Sequence, residues 1–210
     1  MKLKRYSLAE QAYREMLKQI ISGQWQAGDK MTEESLCEHF KISRTPAREA
    51  LMSLTRDGLV ERQPRCGWRI CSPTTEQVYE LFECRRQIEC LALKSAIDNI
   101  PEEKLEALKE ALLSETESPK RISLQVDDDL HQLIADHCGN SYLKNILERL
   151  SRQSSPFRYF RTDSDSTEKI QQERLTLIEE MLNKNTDKAL KLLSDHIAQG
   201  RKILEDRKTL

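Results

Sequence analysis

The chain has 210 residues, of which 38% are hydrophobic and 33% charged, and its formal net charge is −1. This balance is typical of a folded, helix-rich protein and excludes the disordered and fibrous classes. No apolar run approaches the roughly 20 residues that cross a bilayer, and the basic N-terminus lacks the apolar segment of a signal peptide. We therefore expect a cytoplasmic protein that does not enter a membrane and whose six cysteines are reduced thiols.

The two parts of the chain differ in charge. Residues 1–72 hold 13 lysines and arginines against 9 aspartates and glutamates, whereas the remainder holds 21 against 26. A basic part joined to an acidic part is typical of a DNA-binding module fused to a different domain, although charge alone does not establish it. We predict a DNA-binding domain at 1–72, a linker at 73–77 and an all-α domain at 78–210.

The first 60 residues alternate helical patterns with tight breaks. Ser7 precedes an amphipathic helix that Gly23 closes, and a capping-box pattern at Thr32 begins a second helix. Either Ser43 or Thr45 caps a third helix after a short connection. Two short helices joined in this way predict a helix-turn-helix.

The third helix carries side chains suited to reading DNA. Its first turns hold Ser43, Arg44, Thr45 and Arg48 on the face opposite its apolar residues. Arginine can donate two hydrogen bonds to guanine O6 and N7, and hydroxyls suit phosphates or base edges. The N-terminal end of a recognition helix is the part that enters the major groove.

Two short strands, at 59–62 and 68–71, predict a β-hairpin after this helix. Arg65 and Arg69 would lie against phosphates or the minor groove, and Gly67 would allow close approach of the backbone. The alternative is a small helical domain whose arginines only solvate its surface. The ordered set of capped helices, hairpin and aligned arginines in one basic segment favours a winged helix-turn-helix that binds double-stranded DNA.

The rest of the chain shows helical patterns and no strand pattern. We predict six helices, at about 75–97, 101–115, 120–138, 141–152, 166–184 and 186–206. The predicted fold class is therefore mostly α, with an N-terminal winged helix-turn-helix and a C-terminal six-helix antiparallel bundle.

Polar and charged side chains lie on the apolar stripes of four of these helices. They are Arg85 and Glu89 in the first, Asp127 and His131 in the third, Arg174 in the fifth and His196 in the sixth. Each alone has a simple explanation, such as an internal salt bridge between residues four apart. A bundle that directs several such groups at one core, however, usually holds a ligand or metal between its helices.

A metal site is one chemical interpretation of this pattern. Asp127 and His131 lie one helical turn apart, and His196 could supply a third donor from another helix. Nitrogen and oxygen donors of this kind suit a divalent transition metal such as zinc, nickel or manganese.

The N-terminal part resembles the GntR family of winged-helix regulators over residues 13–70. The resemblance rests on SRTPAREAL at 43–51, on LxxDGLV at 54–60 and on Arg65-x-Gly67. It implies DNA contacts from Arg44, Thr45 and Arg48 on the recognition helix and from Arg65 and Gly67 on the hairpin. Some family members also place an arginine on the preceding helix, where this chain has Glu34.

The C-terminal part resembles the FCD ligand-binding domain of the FadR-like branch of that family, in its shorter, VanR-like version. Metal-binding members use one aspartate and three histidines, and Asp127, His131 and His196 match three of these positions. Arg174 stands at the fourth. Either three ligands still hold a metal, or Arg174 takes the place of the cation and binds the effector or Asp127 directly. Both alternatives imply an anionic effector in a pocket lined by Arg85.

The expected function is that of a transcription regulator. A homodimer would bind a pseudo-palindromic DNA operator, and a small carboxylate-bearing metabolite bound in the bundle would change its DNA affinity. One rival is a metal-dependent hydrolase with an appended DNA-binding module, although no nucleophile–base pair is evident near the candidate ligands. The other is a DNA-binding dimer whose vestigial pocket binds nothing.

Overall fold

The computed structural model describes residues 6–64, 66–114, 119–158 and 167–206. The chain divides between Pro73 and Thr74 into two compact units. The segment 73–77, predicted as a linker, is shorter than expected because Thr74 caps a helix whose first turn already contains residues 75–77.

The N-terminal unit consists of three helices and a small antiparallel sheet. In chain order its elements are α1 (Leu8–Ile21), β1 (Lys30–Met31), α2 (Glu33–Phe40), α3 (Arg44–Arg56), β2 (Val60–Gln63) and β3 (Gly67–Ile70). The strand order is β1-β3-β2, so that β3 lies in the middle. This arrangement confirms the predicted winged helix-turn-helix.

Local sequence explains where α2 begins and ends. The Thr32 hydroxyl accepts a hydrogen bond from the Ser35 N–H at 3.0 Å, and the Ser35 hydroxyl accepts one from the Thr32 N–H. The two bonds together form a capping box. Lys41 adopts a left-handed conformation with φ 54° and turns the chain from α2 towards α3. A capping box therefore begins α2, and one left-handed residue turns the chain into the tight connection to α3.

The core of this unit fixes the orientation of α3. Met16 of α1 and Leu51 and Leu54 of α3 are fully buried, and burying a large apolar side chain stabilises a fold by about 1.5–3 kcal/mol. The Tyr13 hydroxyl donates to Asp57 Oδ2 at 2.6 Å and ties α1 to the end of α3. With one face of α3 held inward, its opposite face is presented to solvent.

The C-terminal unit is helical throughout the residues that the structure describes. It consists of α4 (Thr75–Ala96), α5 (Glu102–Leu113), α6 (Pro119–His137), α7 (Ser141–Arg158), α8 (Thr167–Leu182) and α9 (Thr186–Asp206). The predicted six helices are confirmed. Helix α4 packs against α6, α7 and α9, while α8 packs against α5, α6 and α9.

Helix α7 extends six residues beyond the predicted end at 152. Pro156 lies inside its last turns, where it removes one backbone donor. The buried Ser154 and Ser155 and the partly buried Phe157 are on this extension, and both serine hydroxyls donate to the Ser151 carbonyl oxygen. Packing of the last turns against the core therefore outweighs the local preference to end the helix.

Apolar side chains from all six helices form the bundle core, including Leu93, Leu105, Leu130, Leu147, Leu177 and Leu193. In the described part of the chain, no helix is both long enough and apolar enough to cross a membrane.

Candidate functional site

The exposed end of α3 carries the predicted DNA-contact residues. Ser43, Arg44, Thr45 and Arg48 are all exposed, and the two arginine side chains retain 73% and 56% of their accessible surface. Ala47 and the other inward residues of α3 are buried, which directs these four side chains to the outside. The helix therefore presents two guanidinium groups and two hydroxyls on one accessible end.

Two glutamates of α2 contact these arginines. Glu34 Oε1 lies 3.1 Å from Arg44 Nη2, and Glu33 Oε1 lies 3.7 Å from Arg48 Nε. In the sequence, Glu34 is evident only as a departure from an arginine, and neither pair was predicted. Their signal was two acids in the first turn of the preceding helix, a position that the helix dipole also favours. Each of the two arginines therefore has an acidic neighbour on α2.

Two hairpin residues predicted to contact DNA have roles within the protein. Gly67 has φ +88°, and a Cβ at this position would lie 2.7 Å from the Met31 carbonyl oxygen, so glycine is needed for β3 to approach β1. Arg69 Nε donates to the Gly28 carbonyl oxygen at 3.0 Å. Their DNA contacts remain predictions, and Arg65 lies outside the described residues.

The bundle brings together all six residues that the sequence analysis singled out there. Helices α4, α6, α8 and α9 supply them, and each is at most 9% exposed. We call this group the buried polar cluster: Arg85, Glu89, Asp127, His131, Arg174 and His196. The structure adds Ser123 and Ser154, both fully buried, which the sequence analysis did not include.

One half of the cluster is centred on Glu89. Its Oε2 accepts a hydrogen bond from Arg85 Nε at 3.1 Å, its Oε1 contacts His131 Nδ1, and Arg85 Nη1 donates to Ser154 Oγ at 3.3 Å. Burial alone would raise the pKa of Glu89, but His131 and Arg85 more than offset it and lower the pKa to about 2. An ionised carboxylate can only accept hydrogen bonds, so His131 carries a proton on Nδ1.

The other half is centred on Asp127. Its Oδ1 lies 2.9 Å from both Arg174 Nε and Arg174 Nη2 and 2.9 Å from His196 Nε2. Burial opposes ionisation, but Arg174 and then His196 hold the pKa of Asp127 well below its usual range. Arg174 Nη1 also donates to Ser123 Oγ. Asp127 is therefore a charged acceptor for a guanidinium and an imidazole.

His131 provides a further buried polar atom. Its Nε2 is 3.8 Å from Asp127 Oδ2 and makes no hydrogen bond within the described residues. A cleft between α4, α6 and α7 reaches this part of the cluster, lined by Glu89, His131, Gln132, Ala135, Leu147, Glu148 and Ser151. The residue that lines the cleft therefore also carries a buried polar atom without a hydrogen bond in the described part of the chain.

The predicted metal ligands partly fit a metal. One ligand atom each of Asp127, His131 and His196 lies within 4.8 Å of the others, and Glu89 orients His131 as a second-shell carboxylate does in metal sites. Asp127 Oδ1, however, already contacts Arg174 and His196. Because a guanidinium is permanently charged and cannot ligate a metal, the arrangement does not fit a tightly bound divalent ion.

An exposed recognition helix in one unit and a buried, cleft-reaching polar cluster in the other define a DNA-binding regulator with a ligand-binding domain. Residues 8–70 match the family model for bacterial regulatory proteins of the gntR family, and residues 80–199 match the FCD domain. The chain belongs to the GntR family of bacterial transcription regulators and carries an FCD effector-binding domain.

Relatives and a solved structure agree with this assignment. The uncharacterized HTH-type transcriptional regulator YdhC of Bacillus subtilis (strain 168) is 32% identical over 186 residues, which cover 85% of this chain and 83% of that protein. The HTH-type transcriptional repressor GlaR of Escherichia coli (strain K12) is 27% identical over 198 residues, covering 88% and 90%. The structure of E. coli McbR/YncC shares the fold, with a TM-score of 0.81, 19% identity and coverage of 98% and 100%.

The family and its relatives point to a transcription regulator and not to an enzyme. The hypothesis of a metal-dependent hydrolase with an appended DNA-binding module is therefore wrong.

Proposed function

We propose that the protein is a homodimeric repressor that binds a pseudo-palindromic operator through α3 and is controlled by a small carboxylate-bearing metabolite in the bundle. The observation that carries the effector half of this proposal is the buried polar cluster. Four helices direct charged or titratable side chains into one core, where apolar residues would stabilise the fold at least as well. A ligand-binding role accounts for their presence.

The two arginines of the cluster have different contacts and lie differently relative to the cleft. Arg174 makes two 2.9 Å contacts with Asp127 and a further bond to Ser123. Arg85 makes a 3.1 Å bond to Glu89 and a 3.3 Å bond to a serine hydroxyl. Arg85 also lies beside Glu89, which lines the cleft. We therefore assign Arg85 as the arginine that receives the effector carboxylate, in a paired guanidinium–carboxylate geometry.

Charge balance limits how an anion can enter. With neutral histidines, Arg85 and Arg174 are matched by Glu89 and Asp127, so the cluster has no surplus positive charge. A carboxylate must therefore take over part of the bonding of Arg85 from Glu89 and Ser154. His131 Nε2 can accept a hydrogen bond from a donor on the same ligand, which favours an acid that also carries a hydroxyl or amino group.

DNA contacts are assigned to the exposed end of α3. Arg44 and Arg48 would read bases, while Ser43 and Thr45 would contact phosphates or base edges. Arg65, Gly67 and Arg69 would lie along the DNA backbone. The effector can change operator affinity only as far as it binds the two conformational states of the protein differently.

The dimer has a candidate contact on α7. Tyr142 and Ile146 lie one helical turn apart and are 81% and 48% exposed. Large apolar side chains exposed together often mark an interface. Sedimentation of the wild type and of Ile146→Asp would test this assignment, and a wild type that is monomeric at micromolar concentration would contradict the dimer.

The effector assignment is tested with a panel of small mono- and dicarboxylic acids and their amides. We expect one or more acids to raise the melting temperature and to change operator affinity, since a ligand at 100 times its Kd stabilises a protein by about 2.7 kcal/mol. The matched amides should have no effect. Arg85→Lys should lose the response, whereas Arg86→Ala, at the partly exposed neighbouring position, should retain it. An operator affinity and melting temperature unmoved by the whole panel would support the vestigial-pocket rival.

A further inference from the structure

The positive charge that neutralises Asp127 comes from the chain itself. We propose that Arg174 is a tethered cation that fills the place of a divalent metal at Asp127, and that removing its charge turns Asp127, His131 and His196 into a metal site. The proposed role holds whether or not the bundle binds an effector.

The ligand set beneath Arg174 is complete enough to bind a metal. An aspartate and two histidines offer one donor atom each within 4.8 Å of one another, and all three residues are buried. Oxygen and imidazole nitrogen donors suit zinc, nickel and manganese. Three protein ligands with an open fourth position are sufficient for a divalent ion.

Arg174 is paired with the aspartate of this set. Its guanidinium makes two 2.9 Å contacts with Asp127 Oδ1, and its side chain is 3% exposed. The hydroxyl of Ser123, one turn before Asp127 on α6, accepts a hydrogen bond from Nη1 and fixes the third nitrogen. An arginine does not lose its proton in a protein, so this charge is permanent and repels a second cation.

A second ligand atom is also engaged. His196 Nε2 lies 2.9 Å from Asp127 Oδ1, so this nitrogen already contacts another member of the set. His131 Nε2 makes no hydrogen bond within the described residues. Metal binding at this set would therefore require both the displacement of Arg174 and the opening of the contact between His196 and Asp127.

The test compares metal binding by the untagged full-length wild type with that of four variants: Arg174→Met, Arg174→Lys, His131→Ala and Arg174→Met/His131→Ala. Each is titrated separately with zinc, nickel and manganese, and bound metal is measured by elemental analysis after dialysis, with melting temperatures recorded with and without metal. Manganese is the most informative probe because the six cysteines can bind zinc and nickel.

We expect Arg174→Met to bind about one equivalent of metal, with an affinity about 10- to 100-fold above that of the wild type. The bound metal should raise its melting temperature. Arg174→Lys keeps the positive charge and should behave like the wild type, and the double variant should lose the gain. Arg174→His, which adds a fourth donor, serves if the methionine variant does not fold. Either of two results would overturn the proposal: a wild type that retains one equivalent lost in His131→Ala, or folded Arg174 variants that bind metal no more tightly than the wild type.

Discussion

Each of the two units of this protein contains an ion pair between an arginine and a carboxylate, exposed to solvent in one unit and buried in the other. On α3, the side chains of Arg44 and Glu34 are 73% and 60% exposed. In the bundle, those of Arg174 and Asp127 are 3% and 5% exposed. Exposed ion pairs contribute about 0–1 kcal/mol and are screened by salt, whereas removing one partner of a buried pair costs about 3–5 kcal/mol.

This difference in cost suits the two proposed tasks. An arginine in an exposed pair can exchange its glutamate for a phosphate or a guanine with little loss of free energy. A surface that reads DNA requires this exchange. A buried pair opens only to a ligand that supplies compensating charge and hydrogen bonds, which makes it selective. Substitutions in the two units should therefore have effects of different size and on different measurements.

The largest effect is expected for Asp127→Ala. The substitution leaves the buried Arg174 guanidinium without its carboxylate, so the free energy of unfolding should fall by about 3–5 kcal/mol. Chemical denaturation measures this loss. Asp128→Ala, at the exposed neighbouring position on the same helix, is the control and should change stability by less than about 0.5 kcal/mol. Similar losses of stability for the two variants would show that burial of the ion pair with Arg174 does not make Asp127 more important for stability than an exposed aspartate.

Acid should weaken the buried pairs through Glu89. Its pKa is lowered from 4.5 to about 2, so its contribution is complete above pH 4.5 and is lost as the pH falls from 4.5 towards 2. The contribution is on the order of 3 kcal/mol. Below pH 4.5, stability should therefore fall more steeply for the wild type than for Glu89→Gln when urea unfolding is measured across this range. Parallel curves would mean that Glu89 titrates normally.

The sequence was sufficient to predict which residues form the buried polar cluster, but not which of them pair with one another. The six polar and charged residues of the buried polar cluster could be found because helical periodicity places them on apolar stripes. Which arginine pairs with which acid depends on how helices pack, and no single-helix pattern contains that information. Ser123 could have been predicted, because it lies four residues before Asp127 on the same stripe. The end of α7 was missed because the burial of its last turns outweighs the helix-ending preference of Pro156.

Smaller effects, confined to DNA binding, are expected on α3. Arg48→Ala should weaken operator binding by about 1–3 kcal/mol and relax the sequence preference, while leaving thermal stability unchanged. Fluorescence anisotropy with operator and scrambled duplexes measures both the operator affinity and the sequence preference. Arg56→Ala, exposed at the far end of the same helix, is the matched control and should have little effect. Equal losses on operator and scrambled DNA would argue that Arg48 contacts phosphates and does not read a base.

The smallest effect is expected for Glu34→Gln, and it addresses the exposed pair directly. Stability should change by less than about 0.5 kcal/mol, because an exposed ion pair contributes little. Removing a negative charge beside the DNA should nevertheless raise affinity for scrambled DNA by about 2- to 5-fold at low salt. Operator affinity should rise less, because Arg44 loses the carboxylate 3.1 Å away that holds it, so the ratio of specific to non-specific binding should fall.

Glu38→Gln makes the same change of charge one turn further along α2, at an exposed position. If it reproduces the effect of Glu34→Gln, net charge alone is responsible and the pair with Arg44 is incidental. If only Glu34→Gln lowers the specificity ratio, the acid positions the arginine that reads DNA. The exposed pair would then serve selectivity while contributing almost nothing to stability, whereas the buried pair of Arg174 and Asp127 is needed for the stability of the unit that contains it.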